Sequence, residues 1–117
     1  IQRTVGAELA PTLDRANIDA MIRKGTDRLV DSYSGFFDNA RMASTGLDEL
    51  LRDRGVDDVS IAGLATDYCV LHTALDAIDL GFRTTILRPA VRGVDLTPGD
   101  CDRALARMHA AGANIQE

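Results

Sequence analysis

Residues 58–70 read Asp58-Val59-Ser60-Ile61-Ala62-Gly63-Leu64-Ala65-Thr66-Asp67-Tyr68-Cys69-Val70. Val59, Ile61 and Leu64 make Asp58–Leu64 a short strand of the kind that suits a buried parallel sheet. The pattern then changes. From about Tyr68 to Leu80 the apolar residues Val70, Leu71, Ala74, Ala77 and Ile78 recur at helical spacing, and Gly81 stops the helix. The stretch therefore passes from strand to helix through a tight turn and sets Cys69 in the first turn of the helix.

Working outward, residues 83–87 read as a second strand. Thr97-Pro98-Gly99-Asp100 reads as a helix start: a cap, then proline at the first helical position, then an acid at the third. That helix carries Leu105 and Met108 and ends at Gly112, and Asn114–Gln116 follows as a last short strand. Upstream, residues 45–54 form a helix, capped by Thr45, with Leu47, Leu50 and Leu51 on one face and Gly55 at its end. Residues 25–44, rich in Gly, Ser, Asp and Asn, read as a loop, and a loop of that length inside a domain is usually functional. Asp19-Ala20-Met21-Ile22-Arg23 reads as a strand that ends at Lys24-Gly25, and residues 11–17 as a short helix. Strands alternating with helices predict an α/β fold, a doubly wound parallel sheet with helices on both faces. Ligands of such sheets sit beyond the carboxyl ends of the strands, where Lys24 and the Ala65–Cys69 turn both fall.

The chain has 117 residues, enough for a single domain. Its 45% hydrophobic and 26% charged content is that of an ordinary globular protein. The run Ile61-Ala62-Gly63-Leu64-Ala65 is too short to cross a bilayer. Thirteen basic residues against 18 acidic ones give a net charge of -5, the wrong sign for a general nucleic-acid or anionic-membrane binder. Two cysteines do not make a disulfide framework, so a reducing cytoplasm is the expected compartment.

Cys69 carries the chemistry. Free N–H groups and the helix dipole at the first turn favour an anion, so a thiolate there becomes a nucleophile. The same N–H groups can stabilise the oxyanion formed when sulfur attacks a carbonyl. Packing as a small buried hydrophobe is the competing reading of this cysteine. Lys24, just past an apolar strand, either supports the thiolate with its ammonium or is simply solvated. Cys101 also lies in a first helical turn, but no strand end precedes it, and it takes the structural reading. His72 and His109 share no metal-ligand spacing. His72 follows Cys69 by three residues, which leaves a Cys–His pair open.

Gly63-Leu64-Ala65-Thr66-Asp67-Tyr68-Cys69-Val70 resembles the nucleophile motif of the nicotinamidases, within the isochorismatase-like cysteine hydrolases. Lys24-Gly25 and Val30-Asp31-Ser32-Tyr33-Ser34-Gly35-Phe36-Phe37-Asp38-Asn39 resemble the lysine and pocket segment of the same enzymes. Thr73–Ala77, Arg92-Gly93-Val94 and Ala111-Gly112-Ala113 fit in order. The resemblance implies an isochorismatase-like, Rossmann-like three-layer fold and hydrolysis of nicotinamide to nicotinate and ammonia through a thioester on Cys69, with Lys24 in the catalytic triad. It implies a cis peptide at Leu64–Ala65, an oxyanion hole from the N–H groups of Ala65 and Cys69, and a substrate pocket lined by Tyr33, Tyr68 and Leu64. A role in NAD salvage follows from that activity, and a homo-oligomer is left open.

The resemblance also implies an aspartate general base and a divalent metal, zinc or iron, held by an aspartate and histidines. No residues of this chain match those positions, so no metal ligand is assigned. Residues 1–117 are accordingly read as the C-terminal portion of one longer hydrolase domain, with the central N-terminal strands and a missing N-terminal half as partner. Two other readings stand beside this one: another isochorismatase-like amidohydrolase, acting on a carbamoyl or ureido compound, and a truncated fragment inactive on its own.

Overall fold

The structure is a computed structural model and describes residues 1–117. Its regular elements are helix α1 (Leu47–Asp53), strand β1 (Asp58–Leu64), a π-turn over Thr66–Val70 that runs directly into helix α2 (Leu71–Asp79), strand β2 (Arg83–Arg92), helix α3 (Asp100–Ala111) and strand β3 (Asn114–Gln116). The strands form one parallel sheet in the order β1-β2-β3. Parallel neighbours need a crossover, and α2 and α3 supply the two crossovers.

Side chains alternate across a strand, and β1 divides accordingly. Val59, Ile61 and Gly63 are half-buried, whereas Asp58, Ser60, Ala62 and Leu64 are exposed. β2 buries Thr84 and Ile86 on the inner side. Over that side lies one cluster of Val70, Leu71, Ala74, Ile86, Val91, Ala104, Met108 and Ala113. A second cluster joins Phe36, Ala77 and Phe82, flanked by Leu47 and Leu51 of α1 and by Val59. Ala74 and Ala77 have no exposed surface. Their small side chains let α2 lie close to the sheet. Burying a side chain such as Ile86 contributes on the order of 1.5–3 kcal/mol.

The α/β class and the parallel sheet are as the sequence predicts. Within residues 1–117 the three helices cover one face of that sheet, and the face carrying Ser60, Ala62 and Leu64 is open. Residues 19–23 are not a strand: they run without a sheet partner, exposed except for the half-buried Ile22, and an unpaired extended segment has no ladder to define it. Residues 11–17 form turns rather than a helix, consistent with a segment too short to be helical without packing. β2 runs on to Arg92, past the expected end at residue 87. Its register jumps from Ile61 opposite Ile86 to Gly63 opposite Val91. Pro89 sits inside that bulge, where its missing N–H costs no ladder bond.

Both helix starts also differ in detail. Gly46, at φ 87°, is the residue that caps α1, but the Leu47 N–H still donates to the Thr45 hydroxyl at 3.2 Å. Gly99, at φ 88°, caps α3, so Pro98 lies outside the helix, and the Thr97 N–H donates to the Asp100 carboxylate at 2.9 Å.

Candidate active site

β1 delivers the chain to Leu64, and the peptide joining Leu64 to Ala65 is cis. Gly63 stands at φ 113°, in the region glycine enters without a Cβ penalty. The π-turn that follows is closed by the N–H groups of Tyr68 and Val70, both donating to the Ala65 carbonyl at 3.1 and 3.0 Å. Cys69 is half-buried and its thiol is not in a disulfide.

Lys24 reaches this sulfur from a distant part of the sequence. Its Nζ donates to Cys69 Sγ at 3.4 Å and to the Ser32 carbonyl at 2.7 Å. The Ser32 bond fixes the ammonium, and the loop that follows Ser32 is fixed in turn on α2. Thr73, one helical turn after Cys69 and hence on the same face, accepts the Gly35 N–H at 2.8 Å. The Arg41 guanidinium lies 4.7 Å from the centre of the Phe37 ring and donates to Asp76 at 2.7 Å. Asn39 accepts the Tyr33 N–H at 3.1 Å.

Pinned this way, the Tyr33 ring meets Tyr68 edge to face, with centroids 5.5 Å apart, and lies 5.5 Å from the His72 ring. Burial, helped by the Arg107 charge, lowers the His72 pKa against an opposing pull from Asp76, so this imidazole is neutral near pH 7. Its ring is engaged by Tyr33, and the side-chain hydrogen bond to the Cys69 sulfur comes from Lys24. The Cys–His pair left open by the sequence is not formed. Leu64 ends β1 on the open face of the sheet and is 73% exposed. The structure thus joins Lys24, Cys69, Tyr33 and Tyr68 in one neighbourhood and places the Leu64 side chain outside the aromatic group. A cleft of about 650 Å³ runs along the N-terminal segment past Met21 and Ile22 and reaches the site only at Lys24. Cys69, Tyr33 and Tyr68 do not line it.

A second set of polar contacts lies behind the turn. Asp67 accepts the Val94 N–H at 3.0 Å and the Asp95 N–H at 2.9 Å. Asp95 accepts the Cys101 N–H at 2.7 Å. Burial works to raise the Asp67 carboxyl, but the N–H groups of Val94 and Asp95, with its own backbone N–H, outweigh it and hold the group below the ordinary carboxylate range. Burial, with Asp95 and Asp67 nearby, pushes the Cys101 thiol up to about 11. Asp67 stands inside the motif, but nothing in the sequence alone assigns it a task. Its one sequence signal is an acid at the head of a helical turn.

Asp67, Asp95 and Cys101 bring one ligand atom each within 4.8 Å of one another. The spacing suits a metal ion, but the bonding does not. Both Asp67 oxygens already accept backbone N–H groups, Asp95 Oδ1 accepts the Cys101 N–H, and the thiol is protonated at neutral pH. No aspartate–histidine set forms elsewhere in residues 1–117. These residues therefore do not fit the divalent metal that the resemblance implies.

The isochorismatase domain family matches residues 1–117. The chain belongs to the isochorismatase family. It is 46% identical over 115 residues to a nicotinamidase of Escherichia coli, covering 98% of this chain and 54% of that protein. An Acinetobacter baumanii nicotinamidase structure superimposes with a TM-score of 0.91 at 39% identity, over 99% of this chain and 56% of that one. A Pyrococcus horikoshii pyrazinamidase, solved in complex with zinc, gives a TM-score of 0.82 at 40% identity, over 99% of this chain and 59% of that one. The chain spans about half the length of the isochorismatase-family relatives it matches. None of its helices is long and apolar enough to cross a membrane.

Proposed function

We propose that this chain carries the nucleophile and the lysine of a nicotinamidase, hydrolysing nicotinamide to nicotinate and ammonia. The observation that carries the proposal is the 3.4 Å contact between Lys24 Nζ and Cys69 Sγ. A cation at that distance favours negative charge on the sulfur. Cys69 then attacks the amide carbon, a C–S bond forms, and the carbonyl electrons move onto oxygen. The N–H groups of Ala65 and Cys69 are the donors for that oxyanion. Collapse of the adduct breaks the C–N bond, and the leaving nitrogen takes up the proton that the Cys69 thiol gave up and departs as ammonia. Water then cleaves the thioester, giving nicotinate and the free thiol. Tyr33 and Tyr68, which meet edge to face, are the rings against which the pyridine would pack.

No step is routed through a metal, because residues 1–117 present no fitting ligand set. The name of the Escherichia coli relative supports nicotinamide as substrate, and a place in NAD salvage follows from that product. Two thiols without a disulfide fit a reducing cytoplasm. The test is ammonia release from nicotinamide, with Cys69→Ala as the control. Release that disappears in the variant supports the reading. Release that persists in Cys69→Ala overturns it, and release from a ureido or carbamoyl amide but not from nicotinamide moves the substrate to the other amidohydrolases of the family.

A further inference from the structure

We infer that Asp67 is a positioning residue for Cys69, tying the nucleophile turn to the loop at residues 93–95; this rests on the reading of Cys69 as the nucleophile. Asp67 lies two residues before Cys69, inside the π-turn. Its two oxygens accept two successive backbone N–H groups, those of Val94 and Asp95. Charge-assisted bonds of this kind are short and directional, and two of them on one carboxylate fix its plane. The loop they hold is itself held, because Asp95 accepts the Cys101 N–H at the start of α3.

Gly93 shows how close the two segments come. A Cβ there would collide with Cys101 Sγ and would stand 2.9 Å from Asp67 Oδ1 and 3.3 Å from Thr66 Cβ. The backbone of the loop is pressed against the turn at a point that admits only glycine. The Asp67 carboxylate is thus spent on the backbone of a neighbouring element. The depressed carboxyl of Asp67, set by those N–H donors against the effect of burial, agrees with a group ionised for this purpose.

The consequence concerns geometry at sulfur. Lys24 reaches Cys69 from one segment, fixed by the Ser32 carbonyl, and Asp67 anchors the turn to another. The 3.4 Å contact therefore depends on two anchors that do not share a segment of chain. Displacing a reacting group by about 1 Å can cost roughly a hundredfold in rate.

The experiment compares wild type and Asp67→Asn in the full chain, with circular dichroism to establish folding. Asparagine keeps the shape but turns an NH2 toward one of the two N–H donors. Two readouts are taken: kcat and KM for nicotinamide, and the pH profile of Cys69 alkylation by iodoacetamide, which needs no amide turnover. The expected result is a kcat lowered about a hundredfold with KM little changed, and a raised alkylation midpoint, because the lost Lys24 contact outweighs removal of the Asp67 charge, which by itself would lower it. A folded Asp67→Asn protein with wild-type kcat and a wild-type alkylation profile overturns the proposal. If wild type hydrolyses no amide, the nicotinamidase reading fails, yet a raised midpoint still supports the tether and an unchanged one overturns it. Should Asp67→Asn not fold, Asp67→Glu keeps the charge and shifts both oxygens by one methylene. The same two changes are then expected at smaller size, and their absence in folded Asp67→Glu overturns the proposal.

Discussion

Lys24 Nζ lies 3.4 Å from Cys69 Sγ across 45 residues of sequence. Neither residue is held there by its own neighbours alone. Cys69 is placed by the turn that ends β1, and Lys24 by the Ser32 carbonyl. Their meeting depends on the Gly35–Thr73 bond that fastens the intervening loop to α2. The Lys24–Cys69 contact is therefore a tertiary product of the loop at residues 31–41.

Removing the cation while keeping the length of the side chain isolates its electrostatic part. Lys24→Met is expected to lower kcat for amide hydrolysis by about 10²–10³, in the range for losing one preorganised electrostatic partner. Lys24 is exposed, so the thermal midpoint should move little. Steady-state kinetics beside a melting curve checks this, and a kcat within twofold of wild type would remove Lys24 from the mechanism.

The two cysteines should separate cleanly in their reactivity. Burial and the neighbouring Asp95 and Asp67 carboxylates push Cys101 up to about 11, so near neutral pH it remains a thiol. Cys69 stands beside an ammonium. Brief exposure to iodoacetamide, followed by peptide mass spectrometry, is expected to modify Cys69 and spare Cys101. Equal labelling of both would contradict the environment described for either.

The strand-to-helix passage at residues 58–70 was legible because its signals are local: period two, then helical spacing, with glycine at the junction. The motif likewise marked Cys69, Lys24, Tyr33 and Tyr68, and the structure gathers these four. What escaped was whatever depended on pairing. Residues 19–23 have the composition of a strand, but a strand exists only with a partner, and here they have none. Pro89 makes residues 83–87 look complete, and only the register against β1 reveals that β2 resumes at Val91. Asp67 was invisible for the same reason, since its partners are backbone N–H groups 27 and 28 residues away.

Gly93 and Gly63 should fail in different ways when changed to alanine. At Gly63 there is nothing within 4 Å of a new Cβ, so the cost comes from φ 113° alone and should be about 1–2 kcal/mol. At Gly93 the new methyl meets Cys101 Sγ and Asp67 Oδ1, a case of overpacking that typically costs about 1–3 kcal/mol. Truncating Cys101 should relieve part of the second cost and none of the first. Chemical denaturation of Gly93→Ala, Cys101→Ala and the double variant measures the coupling, and strict additivity would show that the two side chains do not collide.

Acid should loosen the same junction through Asp67. The two N–H donors hold its carboxyl below the ordinary value of 3.8, despite the opposite effect of burial. A carboxyl depressed in the folded state binds a proton less readily there than in the unfolded chain. Its contribution to stability is therefore fully present above the unfolded value and is lost as pH falls through the folded one. Asp58 and Asp100 are depressed as well, by Arg83 in the first case and by the Thr97 N–H and Arg103 in the second. Asp58 is exposed and Asp100 half-buried, and salt should screen the Arg contributions to their shifts. Denaturant midpoints measured between about pH 5 and pH 2 in high salt should then fall for wild type, and less steeply for Asp67→Asn, whose amide cannot titrate. At neutral pH the variant should already be the less stable protein, so the two curves converge as pH falls. Parallel curves over that range would mean that Asp67 has the same proton affinity folded and unfolded, and its bonds to Val94 and Asp95 would then carry no net charge-assisted stabilisation.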